Sequence, residues 1–310
     1  MFLNRIKSKD SGILLYGITP PKSQTAPEKV SEIAEKTLAR LHGLDIDALI
    51  VYDVQDESAR TAEERPFPFL SALDPFDFAR EYLQPLQIPK IIYRPAGKFT
   101  REELRQWMID LTSQEFFPVF VGVPSPDFQP ITSLPEAYQI WQEYRENSVI
   151  GAVTIPERHA VLNDEDQRIL DKMSNGVSYF ISQCVFNVNY AKKMLADLAQ
   201  TCEKQQHELP TVIFTITACG SKKTLHFMEW LGIHIPDSVK ENLLASENIL
   251  ETSVDLCLQI AEELTNFCTA KGIPFGFNIE SVAIRKDEIE ASIRMVNQIS
   301  EMLKSQGIRK

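Results

Sequence analysis

The chain has 310 residues, 44% apolar and 24% charged, the balance of a folded globular protein with room for one large core or two ordinary ones. Its formal net charge of −11 repels polyanions, and no Lys/Arg stripe with interleaved aromatics offsets that field, so nucleic acid is not an expected partner. Five cysteines without a Cys-x-x-Cys pair give neither a disulfide framework nor a thiolate zinc site, and no apolar run reaches the roughly 18–20 residues of a membrane span, so a reducing cytoplasm and no membrane are expected.

Residues 1–12 mix Lys, Arg and Asp, are too polar for a signal segment, and read as an N-terminal extension. Ile13 to Pro20 forms a first predicted strand, stopped by Pro20-Pro21-Lys22. Thr25-Ala26-Pro27-Glu28 has capping-box spacing, and Val30, Ile33, Ala34, Leu38 and Leu41 follow at helical intervals. Ala48 to Tyr52 is a second strand ending in the acidic loop Asp53 to Glu57; Asp74 and Pro75 then cap and open a helix to about Leu83. Lys90 to Tyr93 is a third strand with Arg94 and Lys98 just beyond it, and Thr100-Arg101-Glu102-Glu103 caps a helix to about Ser113.

Pro118 to Val123 is a fourth strand, followed by Pro124-Ser125-Pro126 and a helix through Ala137 and Trp141. Val149 to Ile155 is a fifth, with Pro156-Glu157-Arg158-His159 at its end and a helix from Asp164 to Ser174. The sixth, Ser178 to Asn187, is apolar on both faces yet carries one long amide, Gln183. An unpaired buried amide costs about 1–3 kcal/mol, so Gln183 either pairs inside the fold or is turned toward a ligand. After a helix from Tyr190 to about Lys204, Pro210 to Thr217 forms a seventh strand, then Cys219-Gly220-Ser221-Lys222-Lys223 and a helix to Leu231. Pro236 to Lys271 holds two helical patterns with no strand between them, an insertion before the eighth strand, Pro274 to Glu280, and the last helix shows Ile289, Ile293, Val296, Ile299 and Leu303 on one face.

Eight strand–helix units predict an α/β fold, a (β/α)8 TIM barrel spanning residues 1–310 as a single domain with a helical insertion before the last strand. No Gly-x-Gly-x-x-Gly follows the first strand, where the chain reads Tyr16-Gly17-Ile18-Thr19-Pro20-Pro21, which argues against an open nucleotide-binding sheet. In such a barrel the site lies at the strand C-terminal ends. The candidates there are Thr19 and Lys22, Asp53 and Asp56, Arg94 and Lys98, Ser125, Glu157 to His159, Gln183, Ser221 to Lys223, and Asn278 with Glu280. They mix cations, carboxylates and amides without a His/Asp/Glu cluster at metal spacing, so no metal is expected. His159 is the only histidine at a predicted strand end, fit for acid/base work or for a structural hydrogen bond. Cys219 has no histidine near it in sequence and reads as a small buried thiol. Ser221-Lys222-Lys223 opens a helix, either as an anion receptor through backbone N–H groups or as an ordinary capped start.

Several segments together resemble the methylenetetrahydrofolate reductases, flavin-dependent barrels that reduce a folate-bound methylene with a nicotinamide donor. The pieces are Tyr16 to Lys22 with its Pro-Pro-Lys, Ile155-Pro156-Glu157-Arg158-His159, Lys172 to Phe186, Phe227 to Pro236 and the helix from Arg285 to Ile299. The resemblance implies an oxidoreductase of one-carbon metabolism and methionine biosynthesis, with FAD as cofactor and NAD(P)H as donor. It makes Gln183 the amide that holds the folate pterin, and Glu157, His159 and Lys172 part of the flavin-binding surface. Lys22, Arg94, Lys222 and Lys223 would be weaker contacts for phosphate or a glutamate tail. A glutamate the family carries on its first strand falls at Gly17, and its flavin aspartate at Val123. General acid catalysis is worth on the order of 10²–10⁴-fold, so a reductase would need a substitute acid, Glu280 or Asp53. The alternative is a non-redox folate-binding barrel acting with a partner protein in one-carbon metabolism. A homo-oligomer is compatible with either reading.

Overall fold

The computed structural model describes residues 2–56, 61, 63–112, 116–123, 128–144 and 148–310. Its frame is a closed parallel barrel with strand order β1-β2-β3-β4-β5-β6-β7-β8. The strands are β1 (Ile13–Ile18), β2 (Ala48–Val51), β3 (Lys90–Pro95), β4 (Phe116–Val121), β5 (Ile150–Thr154), β6 (Val177–Cys184), β7 (Thr211–Thr217) and β8 (Phe275–Glu280). Closure removes every sheet edge, and the strands are buried on both faces, which is why they read as continuous apolar runs. Ile13, Leu15, Ala48, Ile50, Ile91, Val119, Tyr179, Ile181 and Ile213 fill the barrel interior. The intervening residues, among them Leu14, Leu49, Ile92, Phe120, Phe180, Phe214 and Phe277, form a larger core under the helices.

The residues read as an extension begin with a helix, α1 (Phe2–Lys7), that closes the N-terminal end of the barrel. Phe2 is fully buried, its ring 5.3 Å from that of Phe117 and 5.4 Å from that of Tyr179. Tyr179 fits inside because its neighbour is Gly151, where a Cβ would stand 2.5 Å from the tyrosine ring. The chain's end is tied to the same face: Arg309 pairs with Asp45 and Asp47, each at 2.6 Å, and Arg5 reaches Asp47 at 2.8 Å.

The helices are α2 (Pro27–Leu41), α3 (Pro75–Tyr82), α4 (Arg101–Thr112), α5 (Leu134–Gln142), α6 (Pro156–Leu162), α7 (Glu165–Ser174), α8 (Val188–Gln205), α9 (Lys222–Trp230), α10 (Asp237–Ala245), α11 (Ile249–Lys271) and α12 (Lys286–Ser305). Asp74 caps α3 by accepting from Phe76 N–H at 2.9 Å, and Thr100 with Glu103 forms the predicted box, as the Thr100 N–H donates to Glu103 at 2.7 Å. The box expected at Thr25 does not form. Ala26 is the N-cap without a side-chain bond, and Pro27, with its preset φ, starts the helix instead. Pro156 does the same for α6, so Glu157 and His159 sit on a helix rather than in the loop the sequence suggested. The predicted insertion before β8 is the helical pair α10 and α11. Ser125 and Glu57 lie outside the described residues.

Candidate functional site

One extra residue in β6 sets the geometry of the barrel mouth. Ile181 pairs with Ile213, but it is Cys184 that pairs with Thr215, so β6 bulges at Ser182-Gln183. Ser182 holds the bulge: its Oγ accepts from Thr215 N–H at 3.0 Å, and its carbonyl accepts from the Thr215 hydroxyl at 2.7 Å. Bulges of this kind re-aim side chains at strand ends. Here Gln183 donates through Nε2 to Leu231 O at 3.1 Å while its Oε1 is buried without a partner, and Cys184 reaches Glu280 Oε1 at 3.5 Å.

β8 supplies the opposite wall. Asn278 is fully buried, and its Nδ2 donates to Tyr52 Oη at 2.8 Å, Thr215 Oγ1 at 3.2 Å and Glu280 Oε2 at 3.4 Å, leaving Oδ1 unpartnered. Glu280 lies directly across from Gly17 in the β1–β8 register. A Cβ on Gly17 would stand 2.8 Å from the Tyr52 ring and 3.2 Å from Glu280 Oε2, so the space a β1 side chain would use is filled by Tyr52 and a carboxyl from β8. Burial raises the pKa of Glu280, opposed by hydrogen bonds from Tyr52, Cys184 and Asn278. Burial also holds the Cys184 thiol well above its usual range, reinforced by Glu280 and Glu157, which disfavours the thiolate.

Glu157, in the first turn of α6, completes the group. Both of its carboxylate oxygens are buried with no partner, and burial pushes its pKa up to about 7. Its charge is also felt at Cys184, where it adds to the larger effects of burial and Glu280. Glu157, Gln183 and Asn278, toward the C-terminal ends of β5, β6 and β8, each carry a buried acceptor without a partner. Among the described residues no group of three or more His, Cys, Asp or Glu side chains is placed to hold a metal ion.

Other residues named from the sequence lie elsewhere. His159 is fully buried among the helices: its Nδ1 accepts from Glu165 N–H at 3.3 Å, which makes Nε2 the donor to Asp197 Oδ2 at 2.9 Å. Lys172 donates to Val153 O at 2.7 Å, and burial pushes its pKa down to about 8. Arg94 lies within β3, 3% exposed, bonded to Asp74 at 2.6 Å and stacked on Phe99 and Trp107. Asp53 pairs with Lys98 at 3.0 Å at the rim, its pKa raised first by burial. The anion receptor considered at Ser221 is already served from within: Ser221 Oγ accepts from Thr224 N–H at 3.1 Å, and Glu288 packs on Gly220 and accepts from the Thr224 hydroxyl at 3.2 Å. Lys22 donates to Leu70 O at 3.2 Å, Lys223 rests over the Phe67 ring at 4.4 Å, and Lys222 is exposed. A cavity of about 470 Å³, lined by Ile6, Lys7, Met173 and His207 among others, sits at the α1 end, opposite these residues.

A solved structure of an uncharacterized protein from Clostridium thermocellum, which binds two copies of 5-methyl-5,6,7,8-tetrahydrofolic acid, is 43% identical to this chain over 97% of it and 100% of that chain, with a TM-score of 0.87. The chain belongs to the family of that protein. The dihydropteroate synthase of Xanthomonas albilineans is 12% identical, with 96% and 94% of the two chains covered and a TM-score of 0.49. That of Vibrio fischeri is 11% identical, with the same coverage and a TM-score of 0.48; at that distance neither bears on the chemistry. No protein-family profile matches, and no curated protein does.

The kinship with the Clostridium thermocellum barrel overturns the resemblance to the methylenetetrahydrofolate reductases. Two of the residues that suggested those enzymes serve packing here. His159 and Lys172 of the supposed flavin surface bond to Asp197 and to Val153 O, and the third residue, Glu157, is a buried acid with no ion-pair partner among the described residues. That residue set does not fit a flavin. Tyr52 and Cys184 escaped the sequence reading. Tyr52 was legible in the alternation Ala48, Ile50, Tyr52 along one face, but the turn of Cys184 into the mouth depends on the bulge, which leaves no pattern in the sequence.

Proposed function

We propose that this chain is a non-redox barrel that holds a reduced folate by its pterin ring in the mouth of the barrel. The observation that carries this reading is the set of unpartnered buried acceptors, both oxygens of Glu157, Oε1 of Gln183 and Oδ1 of Asn278. An unpartnered buried acceptor costs about 1–3 kcal/mol, and several at the same end of the barrel mark a place where donors dock. A tetrahydropterin carries such donors along one edge, at N3–H, the 2-amino group and N8–H. The family relative from Clostridium thermocellum, which binds 5-methyltetrahydrofolate, supports the same ligand class. A flavin has no part in the reading.

The experiment is anaerobic calorimetric titration with 5-methyltetrahydrofolate, beside a spectrum of protein incubated with FAD and desalted. Saturable binding by colourless protein is expected. No heat of binding at millimolar ligand, or a retained flavin spectrum that 5-methyltetrahydrofolate bleaches, would refute the proposal.

A further inference from the structure

The residues around the mouth change sign from the inside to the rim. Inside are the acceptors of Glu157, Gln183, Asn278 and Glu280; at the rim over β8 are cations. Lys22 follows β1, and Lys223 stands in the first turn of α9, which follows β7. β1 and β7 are the two neighbours of β8, the strand of Asn278 and Glu280, so the lysines bracket that side of the mouth.

An aromatic wall joins them. The ring of Phe67 meets that of Phe227 edge to face at 5.1 Å, and Trp230 stacks on Phe227 at 6.2 Å and 18°. The Lys223 ammonium lies 4.4 Å from the centroid of the Phe67 ring, and the Arg65 guanidinium lies 4.8 Å from that of Phe227. Arg65 is also close enough to Lys22 to lower its pKa, behind the larger effect of burial. In a chain of net charge −11, neither Lys22 nor Lys223 has a carboxylate within 4.0 Å among the described residues. A cation held on a ring face keeps its charge available while its stem is fixed.

We propose that Lys22 and Lys223 form a shelf for the carboxylates of a γ-linked oligoglutamate tail, so that the preferred ligand is a polyglutamylated reduced folate. The inference rests on the folate reading and deepens it. The pterin enters toward the acceptors, the benzoyl ring passes the partly exposed Phe67, which Phe227 and Trp230 back from within, and the anionic tail lies over the lysines. Each end of the ligand meets the complementary sign.

The test compares the affinities of mono- and triglutamyl 5-methyltetrahydrofolate for the wild type and for the double variant Lys22→Ala, Lys223→Ala, with Lys22→Gln, Lys223→Gln as a second pair should the first unfold. Two partly exposed ion pairs are worth a gain of about five- to thirty-fold for the triglutamate in the wild type at low salt. That gain should shrink as added salt screens it and fall to within about two-fold in the double variant. Wild-type protein that binds the monoglutamate and gains nothing from the longer tail overturns the inference alone, as does a gain that survives in the double variant. Failure to bind either ligand overturns the folate reading beneath it.

Discussion

Replacing Glu157 with Gln tests the site most directly, because the unpartnered carboxylate leaves a signature in both stability and binding. Burial moves its pKa from the 4.5 of a free glutamate to about 7. At about 1.36 kcal/mol per unit, that is a ceiling of about 3 kcal/mol on the cost of ionising Glu157 in the ligand-free fold. The folded state binds the proton more tightly than the unfolded one, so stability is highest below the unfolded pKa and falls as pH rises from about 4.5 through about 7. Glu157→Gln should therefore match the wild type in urea denaturation at about pH 4 and exceed it by up to about 3 kcal/mol at about pH 8. Binding runs the other way. Ligand N–H donors favour the carboxylate, so folate binding below pH 7 releases a proton, and wild-type affinity rises with pH and levels off above about 7. In the variant the charge-assisted bonds are lost, which weakens binding at about pH 8 by about 10- to 100-fold and flattens its pH dependence. Calorimetry in two buffers of different ionisation enthalpy counts the proton. A wild-type affinity that is constant between about pH 5.5 and about pH 8.5, with no proton released, would refute the assignment of Glu157 to the ligand.

Gln183→Ala removes the unpartnered Oε1 together with the bond to Leu231, and should weaken binding of 5-methyltetrahydrofolate by about 1–3 kcal/mol with the far-ultraviolet spectrum unchanged; an unaltered affinity would make Gln183 a structural amide only. Gly17→Ala forces a methyl to within 2.8 Å of the Tyr52 ring and 3.2 Å of Glu280 Oε2. It should cost about 1–3 kcal/mol in urea denaturation and perturb ligand binding with it, while an alanine variant as stable as the wild type would show that Tyr52 and Glu280 leave room on β1.

The fold was legible in the sequence because its signals are local. Alternating stretches of strand and helix, the Asp74 cap, the Thr100–Glu103 box and the helical pair before β8 each depend on residues a few positions apart. The same locality explains the errors. Pro156-Glu157-Arg158-His159 read as one group at a strand end, yet as the first turn of α6 it leaves the Glu157 carboxylate unpartnered and buries His159 against α8, a split that helical geometry makes and sequence order hides. Gln183 stood out as an amide in an apolar run, but the freedom of its Oε1 follows from the bulge and from the Leu231 carbonyl that claims only its Nε2.

The sequence by itself determined the eight-fold unit and the residues available at the strand ends, because periodicity and capping are properties of neighbouring residues. Only the tertiary structure decided that β8 meets β1 with Glu280 opposite Gly17, that β6 slips by one residue at Ser182-Gln183, and that Lys22 and Lys223 flank one side of the mouth. Register between strands far apart in the chain is fixed when the barrel closes and its interior packs, and no local pattern carries that information.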